Sequence, residues 1–251
     1  MRTRTALFTL LAAVTVPALA ARAHAAEKKD PCPARIAGIV GDCQMALDPA
    51  DDPDEVVWLE AELDRCLQYG DMARTKADGH MALVYEDDGA EVRLNALSVM
   101  TVSEEDDEEL EMTVNAANLS RGELWAKLQK GGAFSVRTPT AVAGVRGTEF
   151  DVAVDEDGSS SVHVLEGAVA VFNELGRVLA EEGMATEILK DMIPKKPFGF
   201  DIEKHREKIK EWKDKISLGE VKKALKEKIE EKKKELGEDA KKKLKKPKFG
   251  F

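Results

Sequence analysis

A chain of 251 residues with 48 acidic and 38 basic side chains has room for one ordinary domain plus extensions, and it contains no stretch after residue 21 apolar enough to cross a membrane. Its net charge of −10 is unevenly placed, because residues 201–251 carry +7 and the remainder −17, an acidic body followed by a basic tail. The three cysteines, Cys32, Cys43 and Cys66, fit no zinc-site spacing.

The chain opens with Arg2 and Arg4, an uncharged run over residues 6–21 and the small-residue site Ala23-His24-Ala25. This pattern predicts a secretory signal over residues 1–25, cleaved near Ala25, and a periplasmic or secreted mature protein. An oxidising compartment permits a disulfide. Three pairings are open, and Cys43 with Cys66 is the one that ties the first strand to the third.

Residues 26–35 form a polar arm with two prolines. Residues 36–40 are the first expected strand, turning at Gly41-Asp42 and continuing through residues 44–47. Residues 48–55 read as loop, rich in Pro and Asp. Residues 56–67 fit either a helix, through Trp58, Leu59, Leu63 and Leu67, or two strands. After Gly70-Asp71, alternation predicts hairpins with one wet face: Met81, Leu83 and Tyr85 on one side, a turn at Asp87-Asp88-Gly89, then Val92 and Leu94 alternating with Glu91 and Arg93. Residues 99–102 and 112–116 are strands, with residues 103–111 an acidic mobile excursion between them. Residues 123–129 have the composition of a helix.

Residues 134–150, FSVRTPTAVAGVRGTEF, read as strand, bend, strand, with turns or bulges at Gly144 and Gly147. Asp157-Gly158 predicts a hairpin, and turn signals then recur about every ten residues at Gly167, Gly176 and Gly183, the spacing of a sandwich or barrel. Residues 191–200 form a linker. Residues 201–251 form a Lys- and Glu-rich helical tail with an apolar stripe at Ile202, Ile209, Trp212 and Ile216, then a capping box at Ser217 and Glu220 and an end near Gly237. The heptad is not kept through Gly219, which leaves a coiled coil poorly specified. Lys-Lys-Pro-Phe198-Gly-Phe200 echoes in Lys-Lys-Pro-Lys-Phe249-Gly-Phe251, either as drift at helix edges or as a pair of aromatic tags.

No constellation for chemistry emerges. There is no Gly-x-Ser-x-Gly elbow, no phosphate loop and no dinucleotide fingerprint, so no catalytic, cofactor-binding or metal-ligating residue is assigned and no cofactor is expected. Three acidic loops, at residues 48–55, 103–111 and 155–158, lack the ligand spacing of a calcium loop. His80 and His163 fall in separate strands and His205 on the tail, which argues against a shared metal site. Arg146 is the residue to single out: it either anchors backbone carbonyls inside the fold or meets a partner's carboxylate at the surface.

Residues 134–150 resemble the signature of the FecR domain family, bacterial envelope proteins first known as regulators of extracytoplasmic sigma factors. Trp58, the Leu67-Gln68-Tyr69-Gly70-Asp71 turn and the Arg74-Thr75 strand resemble that domain's opening. The resemblance implies strands over residues 56–67 and 123–129, and an antiparallel β-sandwich or β-roll over residues 36–190. Sigma regulators of the family join this domain through a membrane helix to a cytoplasmic segment, and both parts are expected to be missing here. What is implied is a non-enzymatic exported binding or scaffolding protein whose partner is another envelope protein or a cell-surface polymer. The alternative is an envelope signalling component acting through a separate membrane partner. The tail is expected to dock on the body, to oligomerise or to hold an anionic surface, nucleic acid being the weakest choice.

Overall fold

The computed structural model describes residues 32–216, apart from 51, 86–88 and 108–111. The expected signal segment, the Asp87-Asp88 turn, the capping box at Ser217, the second tail helix and the Phe249–Phe251 echo lie outside the described residues.

The chain begins with β1 (Ala34–Val40) and β2 (Cys43–Ala46), split by Gly41 and Asp42. In the segment open to a helix or strands, two short strands form, β3 (Leu59–Glu60) and β4 (Cys66–Leu67). Next come β5 (Met72–Thr75), β6 (His80–Tyr85), β7 (Glu91–Leu94) and β8 (Val99–Asp107). The expected acidic excursion therefore begins as strand: residues 103–107 pair with residues 112–116 as one long hairpin. A single strand of 16 residues, β9 (Met112–Lys127), absorbs the helix-like composition after Gly122, as the family resemblance implies. The signature and its continuation supply β10 (Ala133–Arg137), β11 (Val142–Arg146) and β12 (Glu149–Val154). Then follow β13 (Ser160–Glu166), β14 (Ala168–Asn173), β15 (Gly176–Glu181), β16 (Met184–Ile188) and β17 (Phe198–Gly199), before the helix α1 (Ile202–Lys213).

Hydrogen bonding runs unbroken through all of these strands, yet it arranges them in two layers that share β9. The first layer has the order β4-β1-β6-β7-β9-β12-β13-β16-β17. The second has the order β3-β2-β5-β8-β9-β10-β11-β14-β15, antiparallel except where β10 runs parallel to β9. Strand β9 pairs within the second layer up to Arg121 and within the first layer from Gly122 onward. Gly122 makes the crossing possible. Its φ is +92°, and a β-carbon there would overlap Ser98, 2.7 Å from that side chain's Cβ. Gly147, with φ +58°, serves a later crossing, from β11 to β12. The regular turn spacing of the sequence thus reflects corners between layers as much as hairpins within them.

The core lies between the layers. Ile36, Leu83, Tyr85, Leu94 and Phe150 from the first meet Met45, Met100, Phe134 and Val136 from the second, all buried. Tyr85 abuts Phe134 edge-on at 4.8 Å and donates its hydroxyl to the Ala116 carbonyl at 3.0 Å, so its polar tip is satisfied inside the core.

The disulfide joins Cys32 to Cys66, not Cys43 to Cys66. The two layers explain the difference. Cys66 sits on β4 beside β1 in the first layer, whereas Cys43 starts β2 in the second with its thiol turned inward, 3.3 Å from the His80 carbonyl and 3.5 Å from that of Val40. Burial, added to by Asp42 and Asp78 and only partly offset by those two carbonyls, pushes the Cys43 thiol up to about 11. It is an inert core group.

The expected wet face of the β6–β7 hairpin is not wet. His80 and Arg93 point away from the core and are nonetheless buried, because α1 lies across that side of the first layer. Ile209 and Trp212 of the predicted stripe pack with Trp125 and Leu165 of the sheet, joined by Phe200 and Ile202. A helix this short is marginal alone, and each such side chain contributes roughly 1.5–3 kcal/mol on burial. Polar contacts fix the position. Asp201 accepts from the Lys204 amide at 3.1 Å as N-cap, and Arg93 donates to the carbonyls of Lys213 and Ile216 at the far end, satisfying orphan acceptors there. Arg206 donates to the Leu165 carbonyl at 2.8 Å, and the Lys213 ammonium stands 4.3 Å from the Trp125 ring centre. Part of the expected linker is itself strand, since β17 pairs with β16 at the layer's edge.

Candidate functional site

Among the described residues nothing covers the outer face of the second layer around β10, β11, β14 and β15, and the signature supplies two of these strands. Residues of β11 alternate: Ala143 and Val145 point into the core, which leaves Val142, Gly144 and Arg146 facing out. Cross-strand register then sets Ser135, Gly144, Ala170 and Leu179 side by side on four neighbouring strands. Three of these are small, so the sheet carries a trough of about 850 Å³. Gly144 is therefore not the turn its sequence context suggests. Its φ lies outside the left-handed region, and the missing β-carbon opens the floor beneath Phe172, whose ring edge would lie 3.9 Å away.

The walls differ in character. On one side the next register row brings Arg137, Val142, Phe172 and Arg177 together. Phe172 is partly exposed, with the Arg177 guanidinium 5.9 Å from its centre, and Arg137 is held bidentate by Glu105, one contact being 2.6 Å. Leu175 and Leu179 add apolar surface, each more than half exposed. On the other side stands Arg146. Its side chain is exposed and makes no hydrogen bond or ion pair with the described residues, so it lies at the surface and is no internal anchor. A trough with an apolar lip, a small-residue floor and an available guanidinium suits an extended segment bearing an apolar side chain and a carboxylate.

The histidines depart from the sequence expectation in another place. His163 on β13 is the register partner of Asp151 on β12, and α1 brings His205 onto the same spot. His205 Nε2 lies 2.6 Å from Asp151 Oδ1, and the two imidazoles stack at 4.2 Å. Burial alone would raise the Asp151 carboxyl, but the two imidazoles beside it outweigh burial and hold it below the usual carboxylate range. His80 lies elsewhere, stacked near Trp212, with its Nε2 3.1 Å from the Lys215 ammonium. Sequence reasoning missed the pairing of His163 with His205 because it depends on the tail folding back. One signal was present: Ile209 and Trp212 demand a buried surface, and His205 sits one turn before Ile209.

Of the acidic loops, residues 48–55 contain a short 3-10 turn, Pro53–Glu55, in which the Asp52 carboxylate accepts from the Asp54 amide at 3.0 Å. That loop serves its own backbone. Asp71, from the Leu-x-x-Gly-Asp turn, accepts from the amides of Gln68 at 2.7 Å and Asp48 at 2.8 Å, which makes it a structural staple.

Residues 71–170 match the family described as FecR protein, a span that runs from this staple to the floor of the trough. Comparison with curated proteins yields no match. Among solved structures, a crystal structure of a protein from Parabacteroides distasonis, provisionally described as an anti-sigma factor, is similar at 22% identity over 54% of this chain and 62% of that one, with a TM-score of 0.45. A second crystal structure with the same description gives 22% identity, coverage of 53% and 61%, and a TM-score of 0.43. The chain thus spans about three-fifths of the length of the solved structures it matches.

Proposed function

We propose that this chain, which carries a FecR domain over residues 71–170, is an envelope signalling component of the FecR regulator kind, acting outside the cytoplasmic membrane through a separate membrane partner. The role is regulatory rather than catalytic. The trough over β10, β11, β14 and β15 receives an extended segment of that partner, with an apolar side chain seated over Gly144 and Ala170 and a carboxylate on Arg146. One observation carries the reading: four outward residues of the signature, Arg137, Val142, Gly144 and Arg146, lie within the matched span and line the open face. Here Gly144 faces outward, and the core positions of the same strand, Ala143 and Val145, are filled.

The test compares the full chain with Gly144→Leu and Arg146→Glu as baits for membrane proteins of the native cell, alongside transcript levels after deletion of the chain. The expected outcome is a membrane protein retained by the unaltered chain, lost with either substitution, and a changed set of sigma-dependent transcripts. A static scaffold would use the same trough without a transcriptional response. Equal retention by all three baits would remove the trough from the proposal.

A further inference from the structure

We propose that Asp151, His163 and His205 form a binding site for one first-row divalent metal ion, best matched by Zn²⁺, that clamps α1 to the first layer. This inference is independent of the trough. The donors come from two strands and the helix: Asp151 Oδ2 from β12, His163 Nδ1 from β13 and His205 Nε2 from α1, with one ligand atom from each residue lying within 4.8 Å of the others.

A simple polar latch accounts for only half of this geometry. The 2.6 Å contact between His205 Nε2 and Asp151 Oδ1 is an ordinary hydrogen bond that fastens the helix. The other half is not. Asp151 Oδ2 and His163 Nδ1, both buried, face each other at ion-pair distance, 3.3 Å, yet neither makes a hydrogen bond to the other or to any other described residue. Unpaired buried polar atoms are costly, and Asp151 as a whole is only 1% exposed. A tetrahedral ion with bonds of about 2.0–2.1 Å to nitrogen and oxygen holds adjacent donors about 3.3 Å apart. Asp151 Oδ2 and His163 Nδ1 have that separation.

The chemistry of the donors agrees. Two imidazoles and one carboxylate suit a borderline cation rather than calcium or magnesium, which take oxygen ligands. The side chains of His163 and His205 remain 22% and 11% exposed, which gives an ion an entry path and leaves a fourth position for water. Phe200 closes the opposite side, its ring meeting both imidazoles edge-on at 5.2 and 5.1 Å. Because the ligands straddle sheet and helix, the ion stabilises the docked helix by mass action.

The test is calorimetric titration of the chelator-treated full chain with Zn²⁺, repeated for His163→Gln, His205→Gln and His80→Gln. One equivalent binds to the unaltered chain and to His80→Gln, while affinity falls at least about tenfold in each of the other two. His163→Gln keeps the His205 latch and so guards against simple loss of helix docking. Two further readouts follow the ion itself: Co²⁺ gives the visible absorption of a tetrahedral site, and Zn²⁺ slows amide exchange in α1. No stoichiometric uptake, or equal uptake by all four proteins, overturns the proposal and leaves Asp151 as a latch alone.

Discussion

The two outer faces of this molecule are built from the same kind of alternating strand and end in opposite states. On the first layer the outward residues include the large or charged His80, Arg93, Trp125, Asp151 and His163, and α1 covers this part of the face. On the second the outward residues around the signature are Ser135, Gly144 and Ala170, and this region stays open. The contrast separates hydrophobicity from burial. A histidine and an arginine are buried because a helix brings them aromatic surface and carbonyl partners, whereas Phe172, Leu175 and Leu179 are exposed because the chain offers them no cover among the described residues. Large amphipathic side chains hold an intramolecular ligand, and small ones leave room for another.

Trp212→Ala attacks the covered face most directly. It removes the largest anchor of α1 and is expected to cost about 3–5 kcal/mol in denaturant unfolding, with loss of amide protection over α1 first. Protection unchanged from the parent would mean that the helix is held by its polar contacts alone. Gly122→Ala strikes the place where the chain passes from one layer to the other. With φ at +92° and Ser98 in the way, a loss of at least about 1–3 kcal/mol is expected, and thermal unfolding would read it.

A third measurement uses pH to loosen only the covered face. Burial, with the Lys215 ammonium adding to it and Asp78 opposing, lowers the His80 pKa in the folded protein. Unfolded His80 therefore binds protons more readily than folded His80. The stabilisation is in place above the ordinary histidine value of about 6.5 and is lost as pH falls through the lowered folded value. Amide exchange of α1 should speed up across that window, and His80→Gln should flatten the part of the response due to this residue. An identical pH response in the variant would assign the effect to other groups. The smallest effect belongs to the open face: Gly144→Val replaces an outward glycine in a strand that tolerates a β-carbon, so stability should change by less than about 1 kcal/mol, in the stabilising direction. A large destabilisation would show that the trough is structural.

Much of the fold was legible residue by residue. Alternation placed β6, β7, β12 and β13, and the stripe of Ile209, Trp212 and Ile216 marked the docked face of the tail. What alternation cannot tell is which layer a strand joins. That ambiguity left the cysteine pairing open: Cys43 and Cys66 lie in different layers, and Cys66 pairs with Cys32. Gly144 was misread for a related reason. It stands three residues from Gly147, which does turn, but parity with Val142 and Arg146 sets it on the outer face of a continuous strand. The cluster at Asp151 was invisible because its members lie 54 and 42 residues from His205 and meet only after the helix packs.

The sharing of β9 also governs how the protein can fold and be divided. One continuous strand needs β7 and β8, made before it, and β10 and β12, made after it, to complete its ladders. Neither layer can complete its ladders at β9 while the other is absent, and non-local pairing of this kind slows folding. The FecR span inherits the same dependence: β5 and β6 lean on β2 and β1 upstream, and β13 leans on β16 downstream. Residues 71–170 alone would therefore expose four raw sheet edges, at β6 and β13 in the first layer and at β5 and β14 in the second, and unfolding of the intact chain should proceed as one cooperative event rather than lobe by lobe.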